Sequence, residues 1–256
     1  MKNIYIFFSI FLNICLSNSD TAKKIQSYNY SGGWPINLDK KQLTENFDSA
    51  NLNCPNGLGC ECDENDDCLN NNCNKNQLRR KGNYCSLKEG DLFPQIKLYD
   101  QFEEEVDIYD FANKDDKYIL IEMGTVWCGP CHSLASWLTW GENEIKNKPF
   151  WNEKYNIIKD LIDNGDIYFI TILYEDEFRD DATIETSREW YSTYPKDLIP
   201  ILSDSNKWLH SVIRPTGIPA ISLIGPDMRI INLSDRGLNK SFDLILDIYN
   251  ENKQYD

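Results

Sequence analysis

The sequence predicts an α/β protein, a central mixed β-sheet flanked by helices, preceded by a small disulfide-rich module. Three observations carry this. Residues 118–123 and 167–174 are apolar stretches of strand length, and the unbroken run at 167–174 has the pattern of a strand buried on both faces. Phe242, Ile245, Leu246 and Tyr249 fall at i, i+3, i+4 and i+7, the stripe of an amphipathic helix. Cys54, Cys60, Cys62, Cys68, Cys73 and Cys85 crowd into a segment otherwise rich in Asn, Asp and Glu. So little apolar surface cannot offset the chain entropy of folding, so cross-links must hold it.

At 256 residues the chain is long enough for one good core plus an appendage. Apolar and charged fractions of 41% and 26% are ordinary for a globular protein. A net charge of −15 gives no electrostatic support to a nucleic-acid partner, and none is expected. Nine cysteines, six of them crowded, point to an oxidising compartment. The first residues agree: Lys2, an apolar Ile4 to Leu16, then Ser17-Asn18-Ser19 predict a signal peptide over 1–19. The apolar part is short for a bilayer, so no stable membrane span is expected after cleavage. The predicted location is extracytoplasmic, periplasmic or secreted, with an uncleaved anchor as the alternative. Cys15 belongs to the discarded peptide, because Ile14 before it is too large for a lipobox.

Residues 20–53 are polar and stay unassigned, with turn signals at Gly32-Gly33 and Trp34-Pro35 and a short helix over 39–47. Residues 54–86 form the Cys-rich module. Three disulfides is the simplest count, with 15 connectivities that spacing does not separate. Zinc finds no CxxC pair and no histidine there, so no metal is expected. The acidic run Asp63 to Asp67 reads as a solvated loop rather than a calcium site. The module is a structural knob, with partner recognition as one use for it.

From Gly90 to residue 256 the pattern is that of one α/β domain. A leading hairpin pairs Phe93–Tyr99 with Val106–Tyr109, and the strand at 118–123 feeds a helix reaching about Trp140. A helix over 150–162, a strand over 167–174 and a helix over 183–194 limited by Pro195 follow. Leu198 to Leu202 is extended. Strands at 220–224 and 228–233 are joined by Gly225-Pro226-Asp227, which makes them antiparallel.

Between the strand at 118–123 and its helix lies Trp127-Cys128-Gly129-Pro130-Cys131. Cysteines two residues apart close a small disulfide ring or chelate a metal; strand before and helix after favour redox chemistry. Cys128 then sits at a helix N-terminus, where unpaired N–H groups and the macrodipole favour a thiolate. Such a thiolate attacks a disulfide, and Cys131 resolves the mixed species. The motif resembles the thioredoxin active site, and the order of elements is that of the thioredoxin fold. Gly217-Ile218-Pro219 resembles the cis-proline loop of that superfamily. The resemblance implies a cis bond at Pro219, with the Ile218 backbone beside Cys128, placed to pair with a substrate strand and to exclude metal. An ordinary proline opening a strand is the plainer reading. Trp127, Gly129 and Pro130 are the other substrate-side candidates, and Trp137 and Trp140 are read as packing.

Gly90-Asp91-Leu92-Phe93-Pro94, the long segment after the active-site helix and Pro200-Ile201-Leu202-Ser203-Asp204 resemble TlpA/ResA-type extracytoplasmic thioredoxins. Residues 20–89 lie outside that resemblance. It implies reduction of client-protein disulfides, as in apocytochrome c maturation, and a redox partner that recycles the dithiol. No cofactor is expected, since the dithiol carries the electrons. A net oxidant or isomerase is the rival within enzymes. A secreted binding protein whose Cys-rich module mediates the interaction is the rival outside them.

Glu122 interrupts the apolar strand six residues before Cys128. Thioredoxins carry a buried acid there, which implies a proton relay to the resolving thiol; a polar pocket or partner is the structural alternative. His132 makes the string Cys-x-x-Cys-His, also that of c-type haem attachment, with Met123 or Met228 as the second ligand. Gly-Pro inside the motif and the downstream Gly-Ile-Pro favour the thioredoxin reading, in which His132 tunes the thiolate or is simply exposed. A zinc site from Cys128, Cys131, His132 and His210 has no supporting spacing. Two departures from thioredoxin stand out. Ser136 replaces the proline that kinks the active-site helix, and the strand at 167–173 lacks the lysine that partners the buried acid.

Overall fold

A computed structural model describes residues 29–38, 53–74, 82–112 and 116–253. The predicted signal peptide and the short helix over 39–47 lie outside the described residues. In chain order the elements are β1 (Cys73–Asn74), β2 (Tyr84–Cys85), β3 (Lys97–Tyr99), β4 (Glu105–Asp107), β5 (Ile119–Gly124), α1 (Gly129–Trp140), α2 (Asn156–Asp163), β6 (Tyr168–Leu173), α3 (Ile184–Thr193), β7 (Ile201–Ser203), α4 (Trp208–Ile213), β8 (Ala220–Ile224), β9 (Ile230–Asn232) and α5 (Asn239–Lys253).

The two apolar stretches become adjacent parallel strands, β5 and β6, in the middle of a seven-stranded sheet of order β4-β3-β7-β6-β5-β8-β9. β7 extends the parallel side, while β8 and β9 add antiparallel strands on the other. The leading hairpin β3–β4 joins through β7. This mixed sheet, with α1 following β5, is the thioredoxin fold. Side chains alternate across it. Ile119, Ile121 and Met123 enter one core with Val106, Phe111, Ile170 and Ile172. Leu120 points the other way, into a second core with Leu134, Trp137 and Leu138 of α1 and Phe242 and Ile245 of α5. Glu122 and Gly124 share that parity, so they face the layer that holds α1.

Several elements are shorter than their predicted ranges, β3 and β9 among them, and two show why. β4 stops at Asp107 because its carboxylate accepts the Tyr109 N–H at 2.9 Å and starts a 3-10 turn over Ile108–Phe111. The helix expected over 150–162 begins only after Asn152 caps a 3-10 turn, Glu153–Tyr155. Phe150 and Trp151 therefore pack from a loop, Trp151 edge-on to Trp137 with ring centroids 4.9 Å apart. The short helix α4 was not foreseen. It lies between two left-handed residues, Lys207 (φ 52°) and Arg214 (φ 56°), and buried Asp204 accepts the His210 N–H at its start.

The module's cysteines pair as Cys54–Cys60, Cys62–Cys73 and Cys68–Cys85, settling which of the open connectivities is used. Cys62, Cys68 and Cys73 come closest together, but each sulfur is in an S–S bond and offers no thiolate to a metal. In the acidic run, Asp67 accepts the N–H groups of Asp63 and Glu64, which holds its carboxyl below the usual range. The module is docked rather than detached. Leu58 and Leu87 are buried with Leu209 and Val212 of α4, and the Leu87 N–H donates to the Val212 carbonyl at 2.9 Å. Residues 29–38 are also built in: Tyr30 donates to Asp110 at 2.6 Å, and Trp34 stacks on Phe102. Among the described residues no helix is long and apolar enough to cross a membrane.

Candidate active site

α1 starts at the motif because of what surrounds Cys128. Its Sγ accepts the Cys131 N–H at 3.1 Å, an N-cap made by sulfur, and Pro130 falls in the first turn, where a missing donor costs nothing. Buried Leu134, Trp137 and Leu138 anchor the helix, and Gly141 closes it in a left-handed cap at φ 75°. Cys128 and Cys131 form a disulfide. Cys131 is fully buried and Cys128 is 3% exposed. The pair sits among Leu173, Ala182, Trp190 and Ile201, with Val126 and Ile218 packed at the margin.

Ile218 comes from the loop that the sequence singled out. The Ile218–Pro219 peptide is cis. The loop is pinned to the next turn by Thr216 N–H to Asp235 O (2.6 Å) and Gly237 N–H to Pro219 O (2.7 Å). Among the described residues the Ile218 backbone makes no hydrogen bond of its own. The structure thus brings together Cys128, Cys131, Ile218 and Pro219, which lie 87 or more positions apart across the two loops.

Behind the disulfide lies Glu122, 1% exposed. Oε2 accepts from Thr171 Oγ1 at 2.9 Å; Oε1 has no partner among the described residues. Burial pushes its pKa up to about 7, against the opposing pull of the Thr171 hydrogen bond. Thr171 stands on the strand where thioredoxins were expected to place a lysine, and it supplies a neutral partner instead. Gly124 matters here. A Cβ on it would lie 3.5 Å from both Cys131 Sγ and Glu122 Oε1. The sulfur and the carboxylate oxygen are therefore no more than twice that distance apart, and both border the space beside Gly124.

Trp127 flanks Cys128 and is held on two sides. Its Nε1 donates to Glu175 at 2.8 Å, and the Arg179 guanidinium lies over its ring at 4.1 Å. Lys207 bridges Glu175 and Asp181, tying that loop to the start of α4. Gly129 is exposed and Pro130 partly so, which leaves the motif's middle open to solvent. His132 does not turn to the thiolate. Nε2 donates to the Val126 carbonyl at 2.5 Å and Nδ1 bonds the Tyr194 hydroxyl at 2.7 Å, so both nitrogens are engaged. A haem iron or zinc would have to displace one of them. Thr171, Gly124, Glu175 and Arg179 escaped the sequence reading. Only Glu175 and Arg179 carried any signal, an acidic run after a strand, and that pattern fits any solvated loop.

No family model and no curated protein sequence matches the chain. Solved structures with similar shape include the thioredoxin domain of a thiol-disulfide oxidoreductase from Bacteroides vulgatus. It is 18% identical, with 64% of this chain and 99% of that one covered and a TM-score of 0.42. A putative thiol:disulfide interchange protein from Chlorobium tepidum is 14% identical, over 63% of this chain and 95% of its own, at 0.45. An exposed lipoprotein thioredoxin from Streptococcus pneumoniae is 18% identical, over 62% and 99%, at 0.42. At these identities and scores the likeness carries no weight beyond the strand order and cysteine geometry described above.

Proposed function

We propose that this chain is an extracytoplasmic thiol–disulfide oxidoreductase acting on client proteins, working in the reducing direction. One observation carries the reading: the Cys128–Cys131 disulfide at the start of α1 packs with Ile218 of a cis-proline loop and is backed by a buried carboxyl. In the reduced protein the Cys128 thiolate attacks a client disulfide. An S–S bond forms between Cys128 and the client, and one client thiolate leaves. Glu122 takes the Cys131 proton across the space at Gly124. The Cys131 thiolate then attacks Cys128, releasing the second client thiolate. Two electrons have passed to the client, and Cys128–Cys131 is again a disulfide, to be recharged by an external dithiol partner.

Ile218 holds the client as an extended strand through its uncommitted backbone groups, while Trp127, Gly129 and Pro130 form the surface it meets. The three disulfides of the module fit an oxidising compartment. Direction rests on the Gly-Pro pair and Ile218, which resemble reducing thioredoxins. The mechanism is tested by trapping. Cys131→Ser accumulates mixed disulfides with clients, visible on non-reducing gels and reversed by dithiothreitol, whereas Cys128→Ser does not. Equal trapping by both variants overturns the assignment of the nucleophile. A glutathione titration gives direction: a potential near −270 mV, about that of thioredoxin, supports reduction, and one near −120 mV makes the protein a disulfide donor.

A further inference from the structure

The Cys-rich module has no part in the chemistry just described, yet it is bound to the segment that leads into the cis-proline loop. Arg214 follows α4 in a left-handed conformation, φ 56°, and precedes Pro215 to Pro219 directly. Its Nη1 donates to the Asn74 carbonyl of β1 at 2.7 Å. Its guanidinium lies over the Tyr84 ring of β2, 5.6 Å from the centroid. β1 and β2 pair through Cys73 and Cys85, and each of those cysteines is cross-linked back into the module. Two residues earlier, Val212 accepts the Leu87 N–H, and a side chain on Gly59 would meet Val212 and Trp208.

We infer that the module is a brace for the cis-proline loop and that Arg214 is the positioning residue through which it acts. The loop itself is tied to 235–237 by the hydrogen bonds of Thr216, Gly217 and Pro219. It emerges from a helix of six residues whose Leu209, Val212 and Ile213 are buried. Arg214 adds an anchor at the residue where the helix ends, and the anchor is stiff because its partners sit on strands cross-linked into the module. A guanidinium suits this double duty, bonding a carbonyl while its charge lies within cation–π reach of an aromatic ring. The consequence falls on Ile218, whose backbone must meet a client strand at a set distance from Cys128. Removing the brace therefore costs client binding more than bond exchange.

This inference rests on the oxidoreductase reading, and the experiment separates the two. Reduction of a peptide disulfide is measured for the wild type, Arg214→Ala, Arg214→Lys and Tyr84→Leu, with the glutathione potential of each protein as a parallel readout. Arg214→Ala is expected to raise KM about tenfold with kcat lowered less than twofold, the signature of lost uniform binding. Arg214→Lys, which keeps a charge and a donor for Asn74 but not the planar fork, recovers part of that loss. Tyr84→Leu, altered on the module side, moves KM the same way. Amide exchange at Thr216 and Gly217 speeds up in Arg214→Ala. Unchanged KM, or a loss confined to kcat, overturns the brace. A wild-type protein with no reversible Cys128–Cys131 couple overturns the oxidoreductase reading instead.

Discussion

Glu122→Gln tests the buried carboxyl through stability, independently of any client. Burial raises the native pKa from an ordinary 4.5 to about 7, so between those values the native state binds a proton that the unfolded chain has released. Stability then falls as pH rises through the window, and it levels off above the native value. The contribution is fully present only below 4.5. A displacement of that size corresponds to about 3 kcal/mol in total. Glutamine keeps an acceptor for Thr171 Oγ1 and cannot ionise, so the variant lacks this slope. Urea melts of the oxidised protein at pH 5, 6, 7 and 8, followed by tryptophan fluorescence, give the difference directly. Relative to the wild type, Glu122→Gln gains roughly 2–3 kcal/mol between pH 5 and pH 8. Parallel pH profiles for the two proteins would falsify the assignment of a raised pKa to this group.

The space beside Glu122 makes a second prediction. Gly124→Ala places a methyl group 3.5 Å from both Cys131 Sγ and Glu122 Oε1, an ordinary contact that fills the space they share. The variant should fold and melt close to the wild type, yet lose about tenfold or more in the rate of mixed-disulfide resolution, read by stopped-flow fluorescence; an undiminished rate removes Gly124 from the relay. In the module, the Cys68–Cys85 bridge closes a sequence separation of 17 residues. Replacing both with serine should destabilise this region by about 3 kcal/mol, seen as faster amide exchange at Leu87, whose N–H is bonded to Val212. Unchanged exchange there means that docking on α4, not the cross-link, holds the module.

What the sequence disclosed and what it hid divide along physical lines. The motif at 127–131 was legible because its geometry is local: one turn of backbone sets the distance between Cys128 and Cys131. Glu122 was legible because a charge in an apolar strand is a conspicuous violation of the pattern around it. The strand parity that turns it toward α1 follows from counting residues. Pro219 needed resemblance as well, since nothing in the string Gly-Ile-Pro requires a cis bond by itself. Hidden features depend on contacts between distant positions. Arg214 meets a carbonyl 140 residues away, and Trp127 meets Glu175 across 48. α4 was missed for a different reason: six residues give too little periodicity to register, and its cap, Asp204, comes from outside the helix. The docking of the module follows from that omission, because α4 is the surface it docks on.

The placement of Glu122 also argues for function over packing. A carboxyl at 1% exposure with one hydrogen bond costs the fold stability at neutral pH, and its second oxygen has no partner among the described residues. Leucine or methionine at that position would fill the same layer, opposite Ile221 on β8, at no such cost. Nor does the neighbourhood neutralise the acid: Thr171, opposite it on β6, offers a hydroxyl rather than a cation. The surroundings therefore leave the carboxyl titrating near neutrality, with no cation to hold it ionised. The strand also carries glycine two residues on, where a Cβ would touch both Oε1 and Cys131 Sγ. A carboxyl that only balanced a local charge would need neither the glycine nor the raised pKa. A carboxyl that exchanges a proton with the resolving thiol needs both.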